Sequence, residues 1–115
     1  MSNPNGRKGA RWETRLAHFL KDNGFPLAER RVRGGSKDRG DISGIPFTVI
    51  EAKNESRLDL PRYLREAEVE RANDGAELGI VCVPYKGHTV AQGYFVVTLE
   101  TGVRMLRTIT LGEPW

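Results

Sequence analysis

The sequence of 115 residues predicts a single α/β domain in which helices flank a mixed β-sheet. Three observations carry this prediction. An amphipathic helical stripe lies near the N-terminus, alternating strand patterns follow it, and a second helix leads into a short, wholly apolar strand. A chain of this length can bury a core without disulfides or structural metal, so one domain over 7–115, preceded by a flexible arm over 1–6, is expected.

The first half of the chain predicts one helix and three strands. The helix runs from Arg7 to Asn23, where Asn-Gly is a stop signal, and its apolar stripe comprises Trp12, Leu16, Phe19 and Leu20. An extended segment over 25–33 precedes a glycine-rich, charged loop over 34–40. The strands over 41–43 and 47–53 are predicted to form a hairpin in which Ser43 lies opposite Phe47.

The second half predicts a helix and two more strands. Leu60-Pro61 begins the helix, which runs to about Asn73 and carries a solvated acidic face of Glu66, Glu68 and Glu70. The run 78–83 is almost entirely apolar and predicts a strand buried on both faces, with Cys82 as a small core residue. Another strand is expected over 93–99, and the type of the element over 103–109 is left open.

The charge is distributed unevenly along the chain. Residues 1–41 hold ten Lys and Arg against five Asp and Glu, whereas residues 42–115 hold eight against ten. Thirteen of the eighteen basic residues are arginine, whose planar fork suits phosphate oxygens. A polyanionic partner is expected, and a solvated arginine-rich surface is the alternative. The single cysteine and the absence of a long apolar run predict a cytoplasmic protein that does not contact a membrane.

The strand over 47–53 carries the candidate chemistry. Because side chains alternate along a strand, Glu51 and Lys53 share a face at about 7 Å, and Asp41 from the hairpin is expected diagonal to Glu51 at about 7–8 Å. Carboxylates at such spacing select Mg²⁺ or Mn²⁺. A Glu-x-Lys tripeptide is common by chance, so an exposed charge pair with Asp41 as a turn residue is the alternative.

These residues suggest phosphodiester hydrolysis. Asp41 and Glu51, with the Ala52 carbonyl, are expected to hold one or two Mg²⁺ ions that lower the pKa of a bound water. Lys53 would orient that water or neutralise charge developing in the transition state. Glu13 borders the buried stripe of the first helix and would complete the site, and Ser36 would bind phosphate nearby. Asp38 competes with Asp41, which is preferred because a strand can begin at Ile42.

The combined motifs resemble the PD-(D/E)XK nuclease superfamily and, within it, archaeal-type and phage Holliday junction resolvases. The resemblance covers residues 7–85 through the segments Arg7–Glu13, Gly24-Phe25, Gly34–Ser36, Gly40–Ile42 and Val49–Asn54. It implies a restriction-endonuclease-like αβββαβ core, Mg²⁺ dependence without a small-molecule cofactor, and usually a homodimer acting on a four-way junction. It makes Glu13, Asp41, Glu51 and Lys53 the catalytic and metal-binding set, with Ser36 as an auxiliary residue.

One position departs from the family pattern, because Gly40 stands where the family has a proline before the first aspartate. That proline shapes the backbone and ligates nothing, so the chemistry survives its loss. Basic residues around the site are expected to contact DNA phosphates, the alternative being a solvated basic loop. They are Arg7, Lys8, Arg11, Arg30, Arg31, Arg33, Lys37 and Arg39.

The leading hypothesis is therefore a metal-dependent, structure-selective DNA endonuclease that resolves Holliday junctions. Within the enzymes, the alternative is another nuclease of the superfamily that acts on ends, flaps or restriction sites. From a different class, the chain would be a non-catalytic DNA-binding accessory protein. A scaffold unrelated to nucleic acid leaves the arginine-rich N-terminal third unexplained. If the gene is a phage gene, the protein would act in the host cytoplasm.

Overall fold

The computed structural model describes residues 4–31 and 41–115, with side chains from Lys8 onward within those ranges. Its elements form one mixed five-stranded sheet in the order β1-β2-β3-β4-β5 and three α-helices. Strands β3 and β4 are parallel and are joined through α2, and the other neighbouring strands are antiparallel. The elements are α1 (Pro4–Asp22), β1 (Glu29–Arg30), β2 (Ile42–Ser43), β3 (Thr48–Ala52), α2 (Leu60–Asp74), β4 (Leu78–Val83), β5 (Tyr94–Val96) and α3 (Leu99–Leu111).

The two faces of the sheet bury different helices. On one face, α1 packs through a cluster of Trp12, Leu16, Ala17, Ile42, Ile50, Ala52, Ile80 and Cys82. On the other face, α2 packs through Tyr63 and Ala67 against Val81 and Val83. The alternation predicted for β3 is confirmed, because Ile50 and Ala52 face α1 while the residue between them faces α2. The predicted α/β class with a helix-flanked mixed sheet is therefore confirmed.

The predicted register of the β2–β3 hairpin was wrong by two residues. Ile42 pairs with Ile50, whereas a Ser43–Phe47 pair would have set Ile42 opposite Thr48. Pro46 has no N–H, and Phe47 adopts a left-handed conformation with φ 60°, so both belong to the turn and pairing starts later. The observed register, carried on by one residue, sets Asp41 across from Glu51 instead of diagonal to it.

Several boundaries also differ from those expected. Helix α1 begins at Pro4 instead of Arg7, so its first turn includes part of the expected arm. The strand predicted over 25–33 is reduced to β1, because 25–28 forms a turn in which Ala28 N donates to Phe25 O at 3.0 Å. The strand predicted over 93–99 is confined to β5, and the element of open type is the helix α3.

Capping residues account for the ends of α2 and α3. The side chain of Asp59 accepts from Arg62 N at 3.3 Å at the start of α2, and Gly75 ends that helix in a left-handed conformation. Thr98 accepts from Thr101 N at 3.2 Å at the start of α3, which Gly112 ends in the same way. No helix among the described residues combines the length and the apolar character needed to cross a bilayer.

Gly44 provides a test of the hairpin that positions Asp41. Its φ is 88°, and a Cβ built there would lie 1.9 Å from the backbone oxygen of Leu27. We expect Gly44→Ala to lower the free energy of unfolding by more than about 1 kcal/mol, because both strain and a backbone clash are introduced. Gly87→Ala is the matched control, since Gly87 has φ 81° and open space around it. Equal losses in urea denaturation would contradict the close approach at Gly44.

Candidate active site

The carboxylate of Asp41 is held at the end of strand β3 by a backbone hydrogen bond. Its Oδ2 accepts from Ala52 N at 2.8 Å, while Asp41 N donates to Ile50 O at 2.8 Å. Asp41 is 4% exposed. Its side chain therefore takes the place of a strand–strand hydrogen bond and lies against the peptide that joins Glu51 to Ala52.

Glu51 is the most deeply buried acid in the described chain, at 2% exposure. Its Oε1 lies 2.9 Å from Lys53 Nζ. Its Oε2 is buried and makes no hydrogen bond to any group in the ranges that the structure describes. A buried carboxylate oxygen without a partner is costly, so this atom is a candidate ligand for a cation.

Lys53 joins β3 to α2 through two carboxylates. Its Nζ lies 2.6 Å from Glu66 Oε2 as well as 2.9 Å from Glu51, and 5.4 Å from the ring centre of Tyr63. Burial by itself lowers the pKa of Lys53, but the hydrogen bonds and charges of Glu66 and Glu51 outweigh it and raise that pKa above its ordinary value. Lys53 is therefore a protonated side chain that lies between two carboxylates.

Glu13 belongs to the helix that packs on the opposite face of the sheet from this cluster. It lies on α1, and its Oε2 accepts from Arg30 Nε of β1 at 2.7 Å. Among the residues that the structure describes, no hydrogen bond or ion pair joins Glu13 to Glu51 or Lys53, which lie on the α2 side of the sheet. Among residues 4–31 and 41–115, no group of three or more His, Cys, Asp or Glu side chains is arranged to hold a metal. The structure thus brings Asp41, Glu51 and Lys53 together and leaves Glu13 in an ion pair.

The donor set that remains fits a cation in its chemistry. The orphaned oxygen of Glu51 and the neighbouring carboxylate of Asp41 are hard, anionic ligands, and Mg²⁺ accepts few protein ligands with several waters. The predicted contributions of Glu13 and of the Ala52 carbonyl remain predictions. Ser36 and the competing Asp38 lie outside the described residues.

The acidic face predicted for α2 was wrong for two of its three residues. Glu68 is exposed, but Glu70 is 3% exposed and Glu66 binds Lys53. The buried stripe of this helix runs through Tyr63, Ala67 and Glu70, and its polar members concealed it from a search for apolar periodicity. Ala67 and Glu70 follow Tyr63 by four and seven residues, and this helical spacing could have indicated that Glu70 is buried.

A second ion network supports this side of the site. Arg62 binds carboxylates of Glu55, Asp59 and Glu66, and the hydroxyl of Tyr63 donates to Glu55 at 3.1 Å. The segment that leaves β3 is thereby tied to the first turn of α2. Sequence reasoning assigned none of these residues to the site.

The predicted DNA-binding residues divide into three groups. Arg11 is exposed, and Lys8 Nζ lies 3.5 Å from the Ser56 hydroxyl. Arg30 is held by Glu13, and Arg31 has a buried Nε without a hydrogen-bond partner in the described ranges. The side chain of Arg7 and the whole of Arg33, Lys37 and Arg39 lie outside the described residues.

Asp41 is expected to be structural as well as chemical. Asp41→Ala removes the acceptor of the buried Ala52 N–H and should lower the free energy of unfolding by about 1–3 kcal/mol. Asp41→Asn retains an oxygen acceptor and should lose less. Chemical denaturation of both variants checks this expectation, and equal stability of Asp41→Ala and the unchanged protein would contradict it. Asp41→Asn is accordingly the variant to use in activity measurements.

Glu66 and Glu68 form a matched pair two residues apart on α2. Glu66→Ala removes one of the two carboxylates that pair with the shielded Lys53, together with a partner of Arg62, and should cost about 1–2 kcal/mol of unfolding free energy. Glu68→Ala removes only an exposed pair with Arg71 and should cost less than about 1 kcal/mol. Urea denaturation of the two variants provides the comparison. Equal losses would show that the Lys53–Glu66 contact contributes no more than a surface pair.

No protein-family model matches this chain, and comparison with curated proteins and with solved structures finds no match either. The fold and the site geometry therefore stand on the chain's own residues. Assignment to a nuclease family remains a proposal.

Proposed function

We propose that this chain is a metal-dependent DNA endonuclease of the PD-(D/E)XK type, with four-way junctions as its favoured substrate. The observation that carries the proposal is the buried, unpartnered Oε2 of Glu51, next to the Asp41 carboxylate and two residues before Lys53. An oxygen in this condition calls for a cation, and the adjacent ammonium suits a phosphate. The element order α1-β1-β2-β3-α2-β4 also agrees with the αβββαβ order that the resemblance implies.

Each residue of the site has a distinct role under this proposal. Asp41 and Glu51 would hold Mg²⁺ or Mn²⁺, with Glu13 and the Ala52 carbonyl as further predicted ligands. The bound ion would lower the pKa of a water so that hydroxide is available near neutral pH. Lys53 orients the nucleophile or offsets charge on the phosphate, since its shielded ammonium stays protonated at any physiological pH. Ser36 and the basic residues would bind neighbouring phosphates of the DNA. The protein would act on this DNA in the cytoplasm.

Charge pairing favours a second candidate, a non-catalytic DNA-binding accessory protein. Lys53 is bound by two carboxylates and Glu13 by Arg30, so both predicted catalytic groups already have partners. A protein that only binds DNA would keep these pairs intact. An active nuclease must exchange at least one of them for metal or phosphate.

Cleavage of labelled DNA separates these candidates. We expect paired nicks near the branch point of a four-way junction with Mg²⁺ or Mn²⁺, and none with EDTA. Asp41→Asn and Glu51→Gln should lower the rate by at least about 100-fold while junction binding persists, because each removes an anionic metal ligand and leaves the basic residues that would bind DNA unchanged. Glu68→Gln is the control that keeps full activity. Cutting of duplex alone would eliminate junction specificity.

Calorimetric titration with Mn²⁺ or Mg²⁺ measures metal binding and can contradict the proposed nuclease activity. The unchanged protein should take up metal in the presence of junction DNA, and Glu51→Gln should not. Junction binding without metal uptake or cleavage would support the accessory protein. Normal cleavage by both site variants would show that the site is misassigned.

A further inference from the structure

Helix α3 exposes an unusual amount of apolar surface. No residue of this 13-residue helix is buried against the described part of the chain. Leu99 is 84% exposed, Leu106 58% and Ile109 77%. Scattered exposed apolar residues are ordinary, but several on one helix mark an interaction surface.

Three of the exposed apolar residues of α3 and one threonine form a seam with heptad spacing. Leu99, Val103, Leu106 and Thr110 follow one another at intervals of four, three and four, which is the a/d pattern of paired helices. The residues of the helix that are partly covered by the chain's own domain are Thr101, Gly102, Met105 and Thr108. At about 100° per residue, Thr101, Met105 and Thr108 lie on the side opposite the seam, and Gly102 lies between that side and the seam. The seam therefore faces away from its own domain.

The charges beside the seam match a second copy of the same helix. Glu100 and Arg107 both follow a d position, so they flank the same side of the seam as e residues. When two such helices pair antiparallel about a two-fold axis, Glu100 of each copy lies near Arg107 of the other. Arg107 now binds Glu113 in an exposed pair, which contributes little and can exchange.

The other flank is complementary in size. In the same antiparallel register, Gly102 of one copy lies opposite the exposed Ile109 of the other, so a residue without a side chain faces a large one. Both flanks are thus satisfied by the identical sequence. A different protein would have to supply an acid, a base and a space at the same positions.

We infer that α3 pairs antiparallel with α3 of a second copy of this chain, with the seam of Leu99, Val103 and Leu106 at its centre. A contact of this kind is isologous, so each pairing occurs twice. Thirteen residues span only about 20 Å. Stable dimers bury about 800 Å² per partner. A helix pair of this length buries less, so we expect a weak dimer whose population rises with protein concentration.

Sedimentation equilibrium over a concentration series, without DNA or metal, tests the pairing. The unchanged chain should shift from monomer to dimer, and Leu106→Glu should weaken association at least about 10-fold, because a charge is buried in the seam. Leu111→Glu is the matched control, an equally exposed leucine of the same helix outside the seam. A monomer at every concentration would overturn the inference. So would binding of α3 to a different face of the second copy, or equal effects of the two variants on association.

Two further experiments test the register. Glu100→Arg should weaken the dimer, and adding Arg107→Glu to it should restore association. Mixing Val103→Cys protein with Leu106→Cys protein under oxidation should give the mixed disulfide in excess over either homodimer, and buried Cys82 should not interfere. An excess of Val103→Cys homodimer would indicate parallel helices and overturn the register. None of these readouts depends on nuclease activity, so the proposed function and this inference fail separately.

Discussion

The hydrogen bond from Ala52 N to the Asp41 carboxylate is the contact on which the candidate site depends. It joins β2 to β3 where the regular pairing of these strands ends, and it is made by a side chain that carries charge. A backbone acceptor there would satisfy the amide equally well but would bring no anion beside Glu51. One buried bond thus completes the sheet and begins the site.

The surroundings of β3 explain why Glu51 tolerates such deep burial. Its neighbours Ile50 and Ala52 belong to the α1 cluster, and β4 lies alongside it in parallel, so the strand cannot turn its acid toward water. Lys53 offsets part of the burial cost by pairing with Oε1 of Glu51, whereas Oε2 has no partner in the described chain. Because four acids share two bases in this network, with Glu51, Glu55, Asp59 and Glu66 around Lys53 and Arg62, it keeps an excess negative charge that favours cations.

Sequence periodicity predicted the parts of the fold that apolar residues determine. The stripe through Trp12 and Leu16, the strand β4 and the bounds of α2 are all found as expected, because each is defined by a continuous apolar pattern or by a cap. Reasoning failed where backbone conformation decided the outcome. The register of the hairpin depends on the left-handed Phe47, a conformation that is rare for phenylalanine and that no residue pattern signals.

The candidate site divides in the same way. Alternation along β3 correctly set Glu51 and Lys53 on one face, since that rule is geometric and local. The alternation rule could not identify Glu66 as a partner of Lys53, because Glu66 comes from a helix whose buried stripe is polar. Glu13 was assigned to the site because a carboxylate beside the buried stripe of α1 needs a cation, which a bound metal would supply, and in the structure Arg30 supplies that cation.

The two faces of the sheet also differ in charge. On the α2 side, Glu55, Asp59 and Glu66 surround Arg62, whereas the exposed Arg11 belongs to α1 and Arg30 to β1. Under the proposed function, DNA that approaches from the α1 side meets Arg11 and Arg30 and reaches the Asp41 end of the site by crossing the edge strand β1 and then β2.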